Sequence, residues 1–263
     1  MALTEQETSS ISNPRFSETI PTPRISVVVP VLNEAANLPH VLPRIPEVFE
    51  VIVVDGGSRD GTVDAARELL PDARVLRQPG RGKGDALICG FRSARGDVVV
   101  MLDADGSARP EEISRFVQAL AAGADFAKGS RFLPGGGSSD ITRIRTWGNR
   151  MLTHLVNLLF GSRYSDLCYG YNAFWVDLLD ELALDADGFE IETQLNLRAI
   201  KAGLAVVEIA SHEDSRIHGV SNLNAVRDGM RVLRTILHER LRLPSRDFSA
   251  ARQPQSAPAT DEL

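Results

Sequence analysis

Asp103-Ala104-Asp105 sets two carboxylates on either side of one small residue, directly after the apolar run from Asp97 to Leu102. A bend there turns both acids toward one point. Two hard oxygen donors so placed suit Mg2+ or Mn2+, with water and ligand phosphates completing an octahedron; a plain polar turn is the other use of an acid-x-acid pair. Asp55-Gly-Gly-Ser-Arg-Asp-Gly-Thr62 follows a second apolar run and joins an acid able to accept from a base or ribose to glycines that let a ligand approach the backbone. Arg81-Gly-Lys83-Gly-Asp85 offers a basic residue in a loop ahead of a helix, where a phosphate could sit. Asn33 and Glu34 hold the matching place after the first run.

These residues need a scaffold that ends several strands at one edge. Ile25–Val31, Val51–Asp55, Ala73–Arg77 and Asp97–Leu102 are β-branched runs that do not alternate with polar residues, which predicts parallel strands covered on both faces. Between them, Asp60 to Asp64 before Ala-Ala-Arg-Glu-Leu-Leu, and Arg109-Pro110-Glu-Glu before Ile113 to Ala122, carry the acids and proline of a helical first turn. Strand and helix alternate over about the first 130 residues, predicting a doubly wound sheet with ligands beyond its carboxyl strand ends.

The second half is less regular. A Gly-rich loop, Gly129 to Asp140, leads to a predicted helix from about Thr146 to Phe160 with Leu152, Leu155, Val156 and Leu159 as its apolar stripe. Further elements are a helix from Glu190 to Ala202, a strand from Leu204 to Ala210, and a helix from about Asn222 to Leu243. That last helix carries Val226, Met230, Leu233 and Leu237 on one side and Arg227, Arg231 and Arg234 on another. Arg143, Arg145 and Arg150 accompany the earlier helix; together these cations form either a basic surface for anionic lipid or the solvated face of ordinary core helices.

Bulk properties narrow the classes. The 263 residues are 43% hydrophobic and 24% charged, which excludes collagen, coiled coil and wholesale disorder and suits a domain with a sizeable core. The net charge of −6 argues against nucleic acid as a partner. Cys89 and Cys168 are the only cysteines and lack metal-ribbon spacing, so the chain reads as reduced and cytoplasmic. No stretch approaches a membrane span and the start is unlike a signal peptide, so any membrane contact is expected to be peripheral, at the inner face. Residues 1–24 and 244–263 read as flexible tails around one domain, 25–243. There is no GxxxxGK[ST] and no GxGxxG after the first strand, which argues against a P-loop nucleotidase and a dinucleotide oxidoreductase.

Val27 to Leu38, Val51 to Thr62, Arg81 to Leu87, Gly96 to Ile113 and Lys128 to Gly137, in that order, resemble the family 2 glycosyltransferases of the GT-A type, and within them the dolichol-phosphate mannosyltransferase-like branch. The resemblance covers about Ile25 to Leu243. It implies an α/β GT-A fold with a mostly parallel central sheet, a nucleotide-sugar-binding half over 25–130 and an acceptor-binding half over 131–243. By the same resemblance Pro30, Leu32, Glu34, Val53 and Asp55 line the base and ribose pocket, with Lys83 also on the donor. Asp103, Ala104 and Asp105 form the metal and diphosphate motif, with Ser107 and His218 as candidate third metal contacts. Arg131 matches an arginine facing the diphosphate or the acceptor phosphate. Arg216 and Ser221 match an acceptor-phosphate loop in which Asn222 stands where the branch carries lysine.

The implied reaction is an inverting displacement in which an acceptor oxygen attacks the anomeric carbon and a metal-bound nucleoside diphosphate leaves. The expected acceptor is a polyprenyl or dolichyl phosphate; the alternative is a soluble hydroxyl acceptor, which needs a general base. Asp166, Glu190 and Glu192 are the candidates for that role. The donor is of the GDP-mannose or UDP-glucose class. A nucleotidyltransferase and a non-catalytic nucleotide-sugar-binding module are distant alternatives; the first lacks its Gly-rich basic loop after the first strand.

Overall fold

Val27, Val29 and Val31 of the first apolar run pack on one face of a sheet and Val28 on the other, as a strand buried on both sides requires. The structure, a computed structural model, describes residues 22–220 and 224–242. Strands β1 (Ile25–Val31), β2 (Glu50–Asp55), β3 (Arg74–Arg77) and β4 (Val98–Met101) are mutually parallel where they pair. The sheet continues through β7 (Asn172–Trp175), β5 (Phe126–Ser130) and β8 (Val206–Ala210) in the order β3-β2-β1-β4-β7-β5-β8. β7 runs antiparallel to both neighbours, so the sheet is mixed but mostly parallel. β6 (Gly137–Ser138) and β9 (His212–Glu213) form a separate short pair.

Helices cover both faces. α1 (Leu38–Val41), α2 (Thr62–Leu69) and α4 (Ile113–Ala121) bury Leu38, Val41, Ala66, Ile113, Phe116 and Leu120 against one face. α3 (Lys83–Ser93), α6 (Leu179–Leu182) and α7 (Ile191–Lys201) bury Leu87, Phe91, Leu182, Ile191 and Leu195 against the other. The chain winds outward from β1 to β3 and returns beyond β1 to form β4. The loops leaving β1 and β4 therefore diverge, and this switch point opens the crevice where such sheets bind ligands.

A third layer differs from expectation. α5 (Arg143–Phe160) and α8 (Ala225–Leu241) pack on α7, which is buried from Ile191 to Ala199. α5 starts earlier than the sequence suggests because Thr142 caps it, its hydroxyl accepting the Arg145 N–H; α8 starts at Asn224, whose side chain accepts from Val226 and Arg227. Leu152 and Val156 face inward with Leu155 and Leu159 packed beside them, as the stripe on α5 predicts. On α8 the inward residues are Val232, Ile236, Asp228 and Glu239, whereas Val226, Met230 and Leu237 face out. The buried acid is stable there because Arg198 and Lys201 of α7 hold Glu239 at 2.8 and 2.9 Å. Near the N-terminus, Arg24 is anchored rather than part of a loose tail: its guanidinium and N–H both reach Asp97.

Candidate active site

The loops after β1 and β2 are strapped to each other before any ligand arrives. Asn33 adopts a left-handed backbone (φ 56°), its N–H donates to Ser58 Oγ and its side-chain oxygen accepts the Arg59 N–H. The Glu34 N–H donates to Thr62 Oγ1 at 2.9 Å. Both carboxylate oxygens of Asp55 accept backbone N–H bonds, from Gly57 and Ser58, each at 3.0 Å, so a nearly buried anion is held in one orientation and retains lone pairs for a ligand. Leu32 stands 45% exposed at the mouth of this pocket, with Pro30 half-buried behind it. Val53 is a correction: its side chain is wholly buried in the core beneath the loop, because it points to the face covered by α1 and α2. It supports the pocket from below and does not line it.

Asp103 and Asp105 sit at the switch point, each beside a cation of this chain. Lys83 Nζ lies 2.7 Å from Asp103 Oδ1 and 2.6 Å from Glu192 Oε1. Arg216 places Nη2 3.0 Å from Asp105 Oδ2 and Nη1 3.0 Å from Glu34 Oε1. Burial disfavours the Lys83 ammonium, yet Asp103 and Glu192 outweigh that and raise its pKa. Burial pushes Glu192 above the usual carboxylate range, with Lys83 opposing the shift. Gly170 makes this grouping possible, since a side-chain carbon on it would meet Glu192 Oε1 at 2.4 Å and Lys83 Nζ at 3.2 Å.

Two carboxylates neutralised by nitrogens at 2.7 to 3.0 Å fit a divalent cation: the ammonium and guanidinium stand where positive charge belongs. Asp105 Oδ1 meanwhile accepts both the N–H and the hydroxyl of Ser107, which places Ser107 beside the motif. Among the described residues no three His, Cys, Asp or Glu side chains stand together as a ligand set, so an ion here would complete its sphere with water and phosphate oxygens. The His218 ring lies against His40, centroids 5.5 Å apart, and its N–H and carbonyl bond Asn37; the residue directly follows Ile217, whose N–H donates to Asp105 O. Ala104 is buried between the two acids, and Gly106, at φ +82°, leaves room for Ile217.

The segment 214–220 lies across this corner. Asp214 N–H donates to Ser107 O, Ile217 N–H to Asp105 O, and Arg109 forms a two-point ion pair with Asp214 at 2.6 and 2.7 Å. Ser221 and Asn222 fall outside the described residues.

Arg131 is nearly buried and its guanidinium is shared between two acids: Nε and Nη2 reach Asp166 at 2.7 and 3.0 Å, and Nη1 reaches Glu213 at 3.0 Å. Burial opposes ionisation of Asp166, but the Arg131 hydrogen bonds win and hold its carboxyl below the usual range. Asn149 adds a bond to the same carboxylate at 2.9 Å. Arg131, expected to face a phosphate, and Asp166, a candidate base, instead face each other, so neither presents a free phosphate fork or a free base. Glu190, just before α7, bonds the Gly188 N–H through one oxygen, while its other oxygen is buried and has no partner among the described residues.

Sequence reasoning missed Glu213 and Asn37. Glu213 reaches Arg131 only because β9 pairs with β6, an element too short for a periodic signal. Asn37, buried beside Glu34, had one available signal, an amide three residues after an acid at a helix entrance.

A mixed seven-stranded sheet with paired aspartates at its switch point defines a GT-A glycosyltransferase. Residues 26–183 match the profile described as Glycosyl transferase family 2, and the chain belongs to that family. It is 37% identical over 231 residues to a polyprenol monophosphomannose synthase of Mycolicibacterium smegmatis, covering 80% of this chain and 85% of that protein. It is 33% identical to an undecaprenyl-phosphate mannosyltransferase of Micrococcus luteus, over 71% of this chain and 82% of the relative. Among solved structures, glucosyl-3-phosphoglycerate synthase from Mycobacterium tuberculosis, crystallised with Mn2+, UDP and glucosyl-3-phosphoglycerate, superposes with a TM-score of 0.66 at 26% identity, over 82% of this chain and 80% of its own.

Proposed function

We propose that this glycosyltransferase moves a hexose from a nucleoside-diphosphate sugar to a polyprenyl phosphate, with inversion and with Mg2+ or Mn2+ at Asp103 and Asp105. The observation that carries the reading is the pair of strand-end aspartates, each neutralised by a cation of the chain itself. The Mn2+ and UDP with which the structural relative was crystallised and the acceptors named for the sequence relatives support it. A bound divalent ion would supply Lewis-acid stabilisation of the charge that develops on the departing diphosphate.

The chain's own residues do the rest. Asp55 holds the nucleoside, and Lys83, kept in place by Glu192, offers positive charge to a donor phosphate oxygen. Arg216 leaves Asp105 when the donor arrives and turns to the acceptor phosphate with Ser221. Asp166 and Glu213 position Arg131, whose buried charge stabilises the wall of the acceptor half. A phosphate monoester is already an anion near neutral pH and attacks without a strong base. That matches two of the three candidate bases, Asp166 and Glu192, being engaged by cations.

The lipid end of the acceptor has a matching surface. Ile144, Trp147, Met151 and Leu158 on α5, and Val226, Met230, Leu237 and Leu241 on α8, are exposed. Both helices bury their opposite sides in the same cluster, with Leu152, Val156, Val232 and Ile236, so the two apolar stripes face outward together. Arg143, Arg150 and Arg234 flank them without a carboxylate partner among the described residues, and α5 contains no acid. We assign this face to peripheral contact with an anionic membrane surface. No helix among the described residues is long and apolar enough to cross one.

A second reading, transfer to a soluble hydroxyl acceptor, draws on the unpartnered oxygen of Glu190 as a base and on the phosphoglyceric acid bound by the structural relative. Release of nucleoside diphosphate from GDP-mannose and UDP-glucose, measured with polyprenyl phosphate and with 3-phosphoglycerate, separates the two. Turnover only with the soluble acceptor, and its loss in Glu190→Gln, would overturn the first.

A further inference from the structure

Between the sheet and α7 the chain buries more hydrogen-bonding groups than it pairs. Lys128 of β5 and Asn172 of β7 are register partners, and Asn172 is in turn the partner of Met101 on β4. Residues directly opposite across antiparallel strands point to the same face. That face is the one covered by α3 and α7, because Met101 belongs to its cluster and Asn172 Nδ2 lies 3.5 Å from Met101 Sδ. Lys128 Nζ lies over the ring of Tyr164, 5.9 Å from its centroid, and the Tyr164 hydroxyl donates to the Asn196 carbonyl oxygen of α7. Thr193 stands one turn before Asn196 on the same side of that helix. Lys128, Asn172, Thr193 and Asn196, each at most 1% exposed, are thus brought to one layer.

Their unspent capacity is complementary. Asn172 Oδ1, Thr193 Oγ1 and Asn196 Oδ1 are buried without a hydrogen-bond partner among the described residues. The Asn196 amide nitrogen already donates to Leu167 O at 3.0 Å, which fixes which way its oxygen points. The Lys128 ammonium, with three donors, makes one bond among the described residues, to the Gly129 carbonyl oxygen at 3.1 Å. Burial pulls the Lys128 pKa down while Asp166 and Glu208 oppose the shift, so an ammonium in this layer gains from every further acceptor. A ligand that completes the layer must accept from the ammonium and donate to amide oxygens. A metal cation cannot accept, and an anion cannot donate. Water does both, and buried water makes about three hydrogen bonds to groups of this kind.

We propose that Lys128, Asn172, Thr193 and Asn196 enclose a site for ordered water inside the core. Water there accepts from Lys128 Nζ and donates to the two amide oxygens, and the Thr193 hydroxyl can do either. The site supports the active centre from behind. Thr193 follows Glu192, which holds Lys83, and Lys128 lies on the strand leading to Arg131, which Asp166 holds. Burial opposes ionisation of both Glu192 and Asp166, and the charge on a solvated Lys128 works against that.

The test joins a crystal structure of the whole chain with urea denaturation of Thr193→Val, a change of equal size that removes only the hydroxyl. The expected density is a water within hydrogen-bond reach of Lys128 Nζ and of at least one of the three oxygens. A buried hydroxyl with a water partner stabilises the fold, so Thr193→Val should lower the urea midpoint. A buried hydroxyl without one costs stability, and its removal would leave the midpoint unchanged or raise it. Combining Thr193→Val with Lys128→Met, or with Asn172→Leu should the lysine variant not fold, should cost less than the sum of the single losses, because both partners share the water. A dry layer in the crystal, a Thr193→Val midpoint at or above wild type, or strictly additive losses would overturn the site.

Discussion

Arg216 bridges Asp105 and Glu34, 3.0 Å from an oxygen of each, and so occupies the acidic corner that a donor-bound cation would claim. The segment 214–220 closes over the corner with it, through Ile217 N–H to Asp105 O and the bonds between His218 and Asn37. A metal ion bound at Asp105 and the guanidinium would therefore compete for one carboxylate. Arg216→Gln is expected to tighten Mn2+ binding in the absence of donor by about 3- to 10-fold, a partly exposed ion pair being worth roughly 1 kcal/mol. The readout is titration of free Mn2+ by electron paramagnetic resonance. The same variant should lose turnover through a raised KM for the phosphate acceptor, separating its two duties; unchanged Mn2+ affinity would remove the competition.

Asp105→Asn tests the centre of the site without emptying it. The amide oxygen can still accept from Ser107, whose N–H and hydroxyl now bond Asp105 Oδ1 at 2.9 and 2.7 Å, so the turn should survive. What disappears is a hard anionic ligand. Turnover should fall by at least about 100-fold, the scale of losing one strong electrostatic contact to a leaving group, while the melting temperature moves by only a few degrees. Wild-type turnover in this variant would refute the metal role of Asp105.

Buried Arg131 gives a stability prediction with a defined pH sign. Asp166 has its folded pKa below the ordinary value of 3.8. Its contribution is therefore complete above the unfolded pKa and is lost as pH falls through the lower folded value. Thermal melts should show an acid-side decline below about pH 4 that is shallower in Asp166→Asn. Arg131→Met strands Asp166 and Glu213 as buried anions and should cost about 3–5 kcal/mol. Replacing Arg131, Asp166 and Glu213 together by apolar residues should cost less than the single change, measured by urea denaturation.

The strands that end at the site were readable because continuous valine-rich runs have one stable use, burial on both faces of a sheet. β5 and β7 were not, because each carries a buried polar residue: Lys128, whose ammonium donates to Gly129 O and lies over the ring of Tyr164, and Asn172, which reaches Met101, 71 positions away. The acids at the switch point were legible by type and spacing. Their present cations were legible only as members of two loops, since the sequence holds nothing that says Lys83 meets Glu192, 109 positions away. For α8 the period was visible but its inward side was not. The inward side carries the acids Asp228 and Glu239, and Glu239 is buried only because Arg198 and Lys201 of α7 stand opposite it.

The outward stripes of α5 and α8 yield the last prediction. Trp147, 69% exposed, and Met230, 49% exposed, both stand in the second turn of their helices, on the outward stripes that a bilayer surface would receive. Neither lies in a buried cluster, so Trp147→Glu with Met230→Glu should leave the melting temperature within about 2 °C, as expected for surface changes of at most about 0.5 kcal/mol. Vesicles containing anionic lipid should sediment the wild type and fail to sediment the double variant. Added salt should weaken the wild-type association, because Arg143, Arg150 and Arg234 contribute to it through screened charge. Transfer to long-chain polyprenyl phosphate in vesicles should drop in step, while transfer to a short-chain, water-soluble polyprenyl phosphate stays near the wild-type rate. Equal vesicle binding by the two proteins would place the membrane contact elsewhere on the molecule.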